Sequence, residues 1–311
     1  MDEHQHTACA EPYARPMRLR RTAFAVLPLL LVAAAACAPE DEPDSAADPT
    51  PSSDTSETPA DTCAVDTLPL LTPGTLTVGT DSPAYEPWFV KNDPTNGKGF
   101  ESAVAYAVAD ELGFTEDQVT WVTVPFNLSF APGDKEFDFD INQISITEER
   151  ASVVDFSDGY YQAAQAVVAL KDSPVADVST IAELADYNLG AQTATTSLTA
   201  IRDVIKPAND PAVFEDTNAA KQALLNGQID AILADVPTAS YISGFEIPGS
   251  TVVGQFQPET GEQEQFGILF EKGSGLVPCV NEAIATLEAD GTLEQIEQEW
   301  LADYLSIPEL Q

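Results

Sequence analysis

Arg150 stands apart in this chain, with no other arginine between Arg21 and Arg202. It follows an apolar run (Ile141, Ile144, Ile146) interleaved with the polar residues Asn142, Gln143 and Ser145, in the stretch DFDINQISITEERASVVDFSDGYY over 138–161. A guanidinium held beside hydroxyl and amide groups at a strand end presents a planar fork that fits a carboxylate. Thr195 and Thr196 lie in the run QTATTSL. Hydroxyls and free backbone N–H groups collected ahead of a helix favour an anion, although plain N-capping uses the same residues. Asp235 ends the apolar run IDAILAD, where a carboxylate is costly unless paired or used as a cap. TDSPAYEPWFV crowds Asp81, Tyr85 and Trp88 onto one rigid loop. Such loops at strand ends are where α/β proteins bind ligands; Trp88 and Phe89 would serve equally as core.

The elements that must hold these groups follow from periodicity. Apolar runs predict strands over 76–80, 119–124, 138–145, 166–170, 187–191, 229–233 and 265–270. Helical spacing predicts helices over 99–112, stopped by Gly113, and over 180–184, 219–225, 276–289 and 293–304. Strands alternating with helices build a mainly parallel sheet covered on both faces. Here the pattern begins a second time after Tyr160 and Tyr161, so two such α/β units are expected.

Lys and Arg total 13 against 51 Asp and Glu, a formal net charge of -38. Phosphates would be repelled, which excludes nucleic acid as a partner. The 44% hydrophobic content is ample for a core. Residues 1–16 fit nothing that follows, whereas Met17 opens a basic head (Arg18, Arg20, Arg21) and an apolar run over 23–36. That run is shorter than the ~20 residues a spanning helix needs, so it reads as a secretory signal with Met17 as the true start. Cys37, after three alanines, resembles the lipidated cysteine of a bacterial lipobox, with Ala34 where leucine is preferred. Residues 38–62 hold eight acidic side chains, five prolines and eight Ser or Thr, the composition of a tether. With Cys9 and Cys37 set aside, Cys63 and Cys279 are expected to pair in an exported chain. No metal site is expected, because both histidines, His4 and His6, precede Met17.

S-I-T-E-E-R followed by V-D-F-S-D-G-Y-Y resembles the segment that closes the first lobe in family 3 extracytoplasmic solute-binding proteins of ABC amino-acid importers. ADGTLEQIEQEWL resembles that family's closing segment. GFESAVAYAVADELGF stands where its signature begins Gly-aromatic-acid, with Ala103 in place of a second acid, and Ala194 replaces a usual glycine. The resemblance implies a two-lobed α/β fold of the periplasmic-binding-protein type II, with the second lobe inserted into the first and two crossovers as hinge. The divisions would be 1–37 leader and signal, 38–66 disordered tether, 67–162 with 263–311 first lobe, and 163–262 second lobe. It also implies closure around an amino-acid zwitterion. Arg150 would clamp the carboxylate with Thr195 and Thr196, and Asp235 would receive the ammonium. Tyr85, Trp88 and Phe126 would supply apolar walls, Asp81 the distal end, and Asn142, Gln143 and Ser145 further contacts. The partners would be a small amino acid, the importer's membrane subunits and the membrane through lipid on Cys37, for a monomer without cofactor or metal. Two alternatives are a dehydratase of the same fold, using cleft acids such as Asp81 or Glu86, and a ligand-sensing module.

Overall fold

A computed structural model describes residues 63–258, 263–302 and 307–311. The leader, the signal segment with Cys37, and the tether up to residue 62 lie outside the described residues. Among the described residues the strands are β1 (Leu76–Thr80), β2 (Val119–Thr123), β3 (Phe139–Asp140), β4 (Asp155–Gln162), β5 (Gln165–Leu170), β6 (Leu189–Gln192), β7 (Ala212–Phe214), β8 (Ala231–Asp235), β9 (Ser250–Phe256) and β10 (Gln265–Phe270). The α-helices are α1 (Phe100–Glu111), α2 (Phe126–Ser129), α3 (Glu148–Ala151), α4 (Thr196–Ala200), α5 (Thr217–Leu225), α6 (Val236–Tyr241), α7 (Val277–Ala289) and α8 (Thr292–Leu301).

Two five-stranded sheets result, in the orders β2-β1-β3-β10-β4 and β7-β6-β8-β5-β9. The second is made wholly from chain between β4 and β10, so one lobe is inserted into the other. Within the first sheet β1 runs parallel to β2 and β3, and β10 runs antiparallel to β3 and β4. In the second, β6 is parallel to β7 and β8, while β5 is antiparallel to β8 and β9. Each sheet has its own apolar core. Trp88, Phe89, Phe100, Phe139 and Phe270 are buried in the first lobe, and Leu184, Leu189, Ile201 and Leu233 in the second. Gly99, which opens α1, has φ 97°, and a Cβ there would stand 2.4 Å from the Trp88 carbonyl oxygen. Only glycine permits that approach.

Several boundaries differ from the sequence expectation. The strand expected over 138–145 is two residues long, because Gln143 adopts φ 49° and turns the chain; Ser145 rejoins the sheet through a single bridge to Phe266. β4, β7 and β9 lie outside the expected strands, and the helix expected over 180–184 is a 3-10 turn at Ala182–Asp186. Residues 63–66, expected as the end of a disordered tether, are folded onto the first lobe, with Val65 packed against its core. The chain end also departs from the assignment of 263–311 to one lobe. Glu309 bridges Gln255 of β9, the Leu310 N–H donates to the Gln255 carbonyl at 2.8 Å, and Leu310 is buried in the second lobe's core.

Cys63 and Cys279 are joined by a disulfide across 216 residues of sequence, fixing the chain's entry to α7. Cross-linking so long a loop restricts the unfolded chain strongly. The Cys63→Ser/Cys279→Ser double variant should lose about 2–5 kcal/mol in a denaturant titration; an unchanged midpoint would show that the bridge does not contribute to stability.

Candidate functional site

Between the two lobes lies a cleft with a cavity of about 70 Å³. Its first-lobe wall brings together Asp81 and Tyr85 from the loop after β1, Phe126 at the start of α2, and Asn142 and Gln143 after β3. Its second-lobe wall brings in Thr195 and Thr196 at the start of α4 and Asp235 at the end of β8. Asp235 also caps α6, accepting the Thr238 N–H at 2.9 Å, and Thr195 caps α4, accepting the Leu198 N–H at 3.1 Å. Capping and cleft lining therefore coexist in both residues. Ala194, just before, has φ 62°, a left-handed conformation that costs an alanine roughly 1 kcal/mol relative to glycine.

Three predicted residues do not line this cavity. Trp88 is fully buried; its ring meets Phe100, Tyr161 and Phe266 edge-on, and its indole N–H donates across the lobes to Thr238 Oγ1 at 2.8 Å. Trp88 is core rather than a cleft wall. Ser145 is buried and donates its hydroxyl to Glu264 at 2.6 Å. Arg150 is 7% exposed and faces an adjoining cavity that shares Thr195 and Thr196. Its guanidinium donates to the Ser145 carbonyl at 2.7 Å and to the Ala194 carbonyl at 2.9 Å, and lies 4.6 Å from the Phe130 ring centroid. Burial lowers its pKa to about 10, opposed by the nearby charges of Glu264 and Glu149. No carboxylate pairs with it directly among the described residues.

Other site residues escaped the sequence reading. Glu264, just before β10, accepts from Ser145 Oγ at 2.6 Å and from Gln165 Nε2 at 2.8 Å, and so ties the two lobes at their crossover. Glu86, already expected as a cleft acid, accepts from Tyr241 of the opposite lobe at 2.9 Å. Glu101, on α1, is fully buried beneath Gln143. A glutamate within an amphipathic helix carries no local sign of such a role, although the Gly-aromatic-acid pattern was a partial one. Burial pushes the Glu101 carboxyl up to about 7, against hydrogen bonds from Tyr160 and Gln143 that favour its charge. Asp235 is pushed up to about 6, first by burial and further by Glu264. Asp140 is raised well above the usual range by burial and by Glu101, and neither of its oxygens has a donor. Among the described residues no group of three His, Cys, Asp or Glu side chains could hold a metal.

An inserted second lobe, antiparallel strands at the crossovers and a polar cleft between the lobes define a two-lobed type II binding protein. The chain belongs to the bacterial extracellular solute-binding proteins, family 3, which it matches over residues 76–303. It is similar to the L-cystine-binding protein TcyJ of Escherichia coli (strain K12), 29% identical over 231 residues covering 73% of this chain and 82% of TcyJ. Its fold is similar to that of the arginine-, lysine-, histidine-binding protein ArtJ from Geobacillus stearothermophilus, with TM-score 0.63 and 28% identity over 75% of this chain and 97% of ArtJ. An ancestral amino acid-binding protein described as a precursor of cyclohexadienyl dehydratase gives TM-score 0.61 and 30% identity over 73% of this chain and 95% of its own.

Carboxyls raised in the folded state bind protons there that the unfolded chain has already lost. Their contribution is present at low pH and lost as pH rises through about 6 for Asp235 and about 7 for Glu101. The ligand-free protein should therefore melt at a higher temperature near pH ~5.5 than near pH ~8. Calorimetric scans that rise in the opposite direction would show that these carboxylates are solvated.

Proposed function

We propose that this chain captures a small amino acid outside the cytoplasm and presents it to the membrane subunits of an ABC importer, by closure of its two lobes on the zwitterion. The observation that carries the reading is a cleft lined from both lobes, with Asp235 on one side and Asp81 on the other. The names of TcyJ and ArtJ point the same way. Asp235 takes the ligand's ammonium. Thr195 and Thr196 meet the carboxylate, and Arg150 exchanges the Ala194 carbonyl for it, completing the pair of charges. Tyr85 and Phe126 flank the side chain. The lobes comprise the sheet of β1–β4 with β10 and the sheet of β5–β9. Lipidation of Cys37 would hold the protein, as a monomer, on a tether at the outer face of the cell membrane.

A catalytic reading has one observation in its favour: a carboxyl raised to about 6, Asp235, is in the range of a general acid. Turnover of a cyclohexadienyl acid would replace simple binding by that reading. Capture itself is tested by a thermal-shift screen of the amino acids, since a ligand raises apparent stability with its affinity. Calorimetry on Arg150→Ala and Asp235→Asn follows; asparagine keeps the helix cap while removing the charge. Each variant should lose about 2–5 kcal/mol of binding, roughly 30-fold to several thousandfold in Kd. Unchanged affinity in both would overturn the assignment.

A further inference from the structure

Gln143 lines the cleft in a conformation that its own residue type does not favour. Its φ is 49°, a left-handed position that a non-glycine residue holds only when neighbours fix it. The neighbour is Glu101. One carboxylate oxygen accepts the Gln143 backbone N–H at 2.6 Å and the Tyr160 hydroxyl, and the other accepts Gln143 Nε2. An ionised carboxylate can only accept. The amide nitrogen must therefore face Glu101, and the amide oxygen is left without a donor among the described residues. Asn142, the preceding residue in the same wall, has its Nδ2 buried and unpaired, so the Gln143 oxygen is the free group that this stretch turns to the cleft.

We propose that Glu101 is a positioning residue that sets the hydrogen-bonding polarity of the cleft through Gln143. This rests on the cleft being the ligand site. Ionised, Glu101 holds the Gln143 oxygen toward the cleft, where it accepts from a ligand ammonium or guanidinium. Protonated, Glu101 becomes a donor, and the amide turns to offer its oxygen to that proton and its NH2 to the cleft. The floor then repels the cation that it previously bound. The groups facing Glu101 act in both directions. Asp140 on β3 and Asp235 on the opposite lobe are acids whose charge disfavours its ionisation, whereas the Tyr160 hydroxyl on β4 and the Gln143 N–H groups donate to the carboxylate and favour it. Lys135 bears on Asp140 and on Glu271, away from this cluster. With no cation hydrogen-bonded to it, Glu101 has a carboxyl raised to about 7 by burial, so the exchange falls at ordinary extracellular pH.

The intact protein, with the Gln143 side-chain amide assigned by its loss in Gln143→Ala, is titrated by NMR while the labelled Glu101 carboxyl carbon is followed in parallel. The amide signals should move with the same midpoint as the carboxyl, and in Glu101→Gln they should hold their low-pH position throughout. Binding of L-arginine should weaken by about tenfold or more as pH falls past that midpoint, and in Glu101→Gln only the step belonging to Asp235 should remain. Amide signals that stay still from about pH 5.5 to 8.5, or that move alike in Glu101→Gln, overturn the inference. Should Glu101→Gln fail to fold, the wild-type titrations decide, since separate midpoints for amide and carboxyl also overturn it. A protein that responds to no amino acid at any pH instead refutes the capture function, and the amide titration still tests the link to Glu101.

Discussion

Asp235 holds its carboxylate at the end of a buried strand, in a gap that no Lys, Arg or His lines among the described residues. Closing such a gap on nothing removes water from an acid and gives it no counter-charge, which is costly. Closing it on a cation gives the acid a partner in a place of low dielectric. The two outcomes differ by the kind of free energy that couples binding to movement, because a ligand shifts an equilibrium only by its difference in affinity for the two states. Moving a population from 1:99 to 99:1 takes about 5.5 kcal/mol, and a desolvated charge pair with its hydrogen bonds is of that order. The remainder of the molecule can be understood as the framework that keeps this one deficit in place.

That framework crosses between the lobes in more places than two connections would suggest. Trp88 donates to Thr238, Tyr241 to Glu86, and Arg150 to the Ala194 carbonyl. At the crossovers the Glu264 carboxylate is shared by Ser145 and Gln165. Glu309 and Leu310 then return the chain to β9 after α8 has packed on the first lobe. Any opening of the cleft has to break the first three bonds, whereas Glu264 sits where the lobes join and can persist. Polar contacts across the cleft with an acid at the pivot favour rotation about the crossovers over sliding of one lobe along the other.

Local pattern carried much of this architecture. β10 is a largely apolar run and β1 alternates Leu76 and Val78 with Thr77, and α1 has its stripe and its glycine stop. Reading failed where a distant residue overrode a local rule. The alternation after Asp138 looks like a full strand, and Gln143 breaks it because Glu101, 42 positions earlier, pays for the left-handed turn. Asp158 and Gly159 are held extended within β4 by pairing with β10, which shifts in register near Gly267. In the site, Asp81, Thr195 and Asp235 were legible because strand ends and helix starts are marked by composition. Arg150 was legible as a buried cation. That it looks into the neighbouring cavity was not, since the Ala194 carbonyl that turns it belongs to the other lobe.

The same distinction between distant and local effects bears on ligand charge. A net charge of -38 suggests at first a general preference for cations, but a field of that origin is screened within about 10 Å in salt and cannot discriminate among ligands already inside the cleft. Selection must come from the lining. There Asp235 and Asp81 stand against a guanidinium one layer away. Lys221, the cation lying 5.4 Å from the Tyr85 ring, is neutralised by Glu246 at 2.7 Å. A second carboxylate on the ligand would find no free positive group and would meet Asp81 instead, while an added ammonium or guanidinium would find an acid to pair with. Local chemistry, rather than the sign of the surface around it, therefore sets what charge the lining can pair.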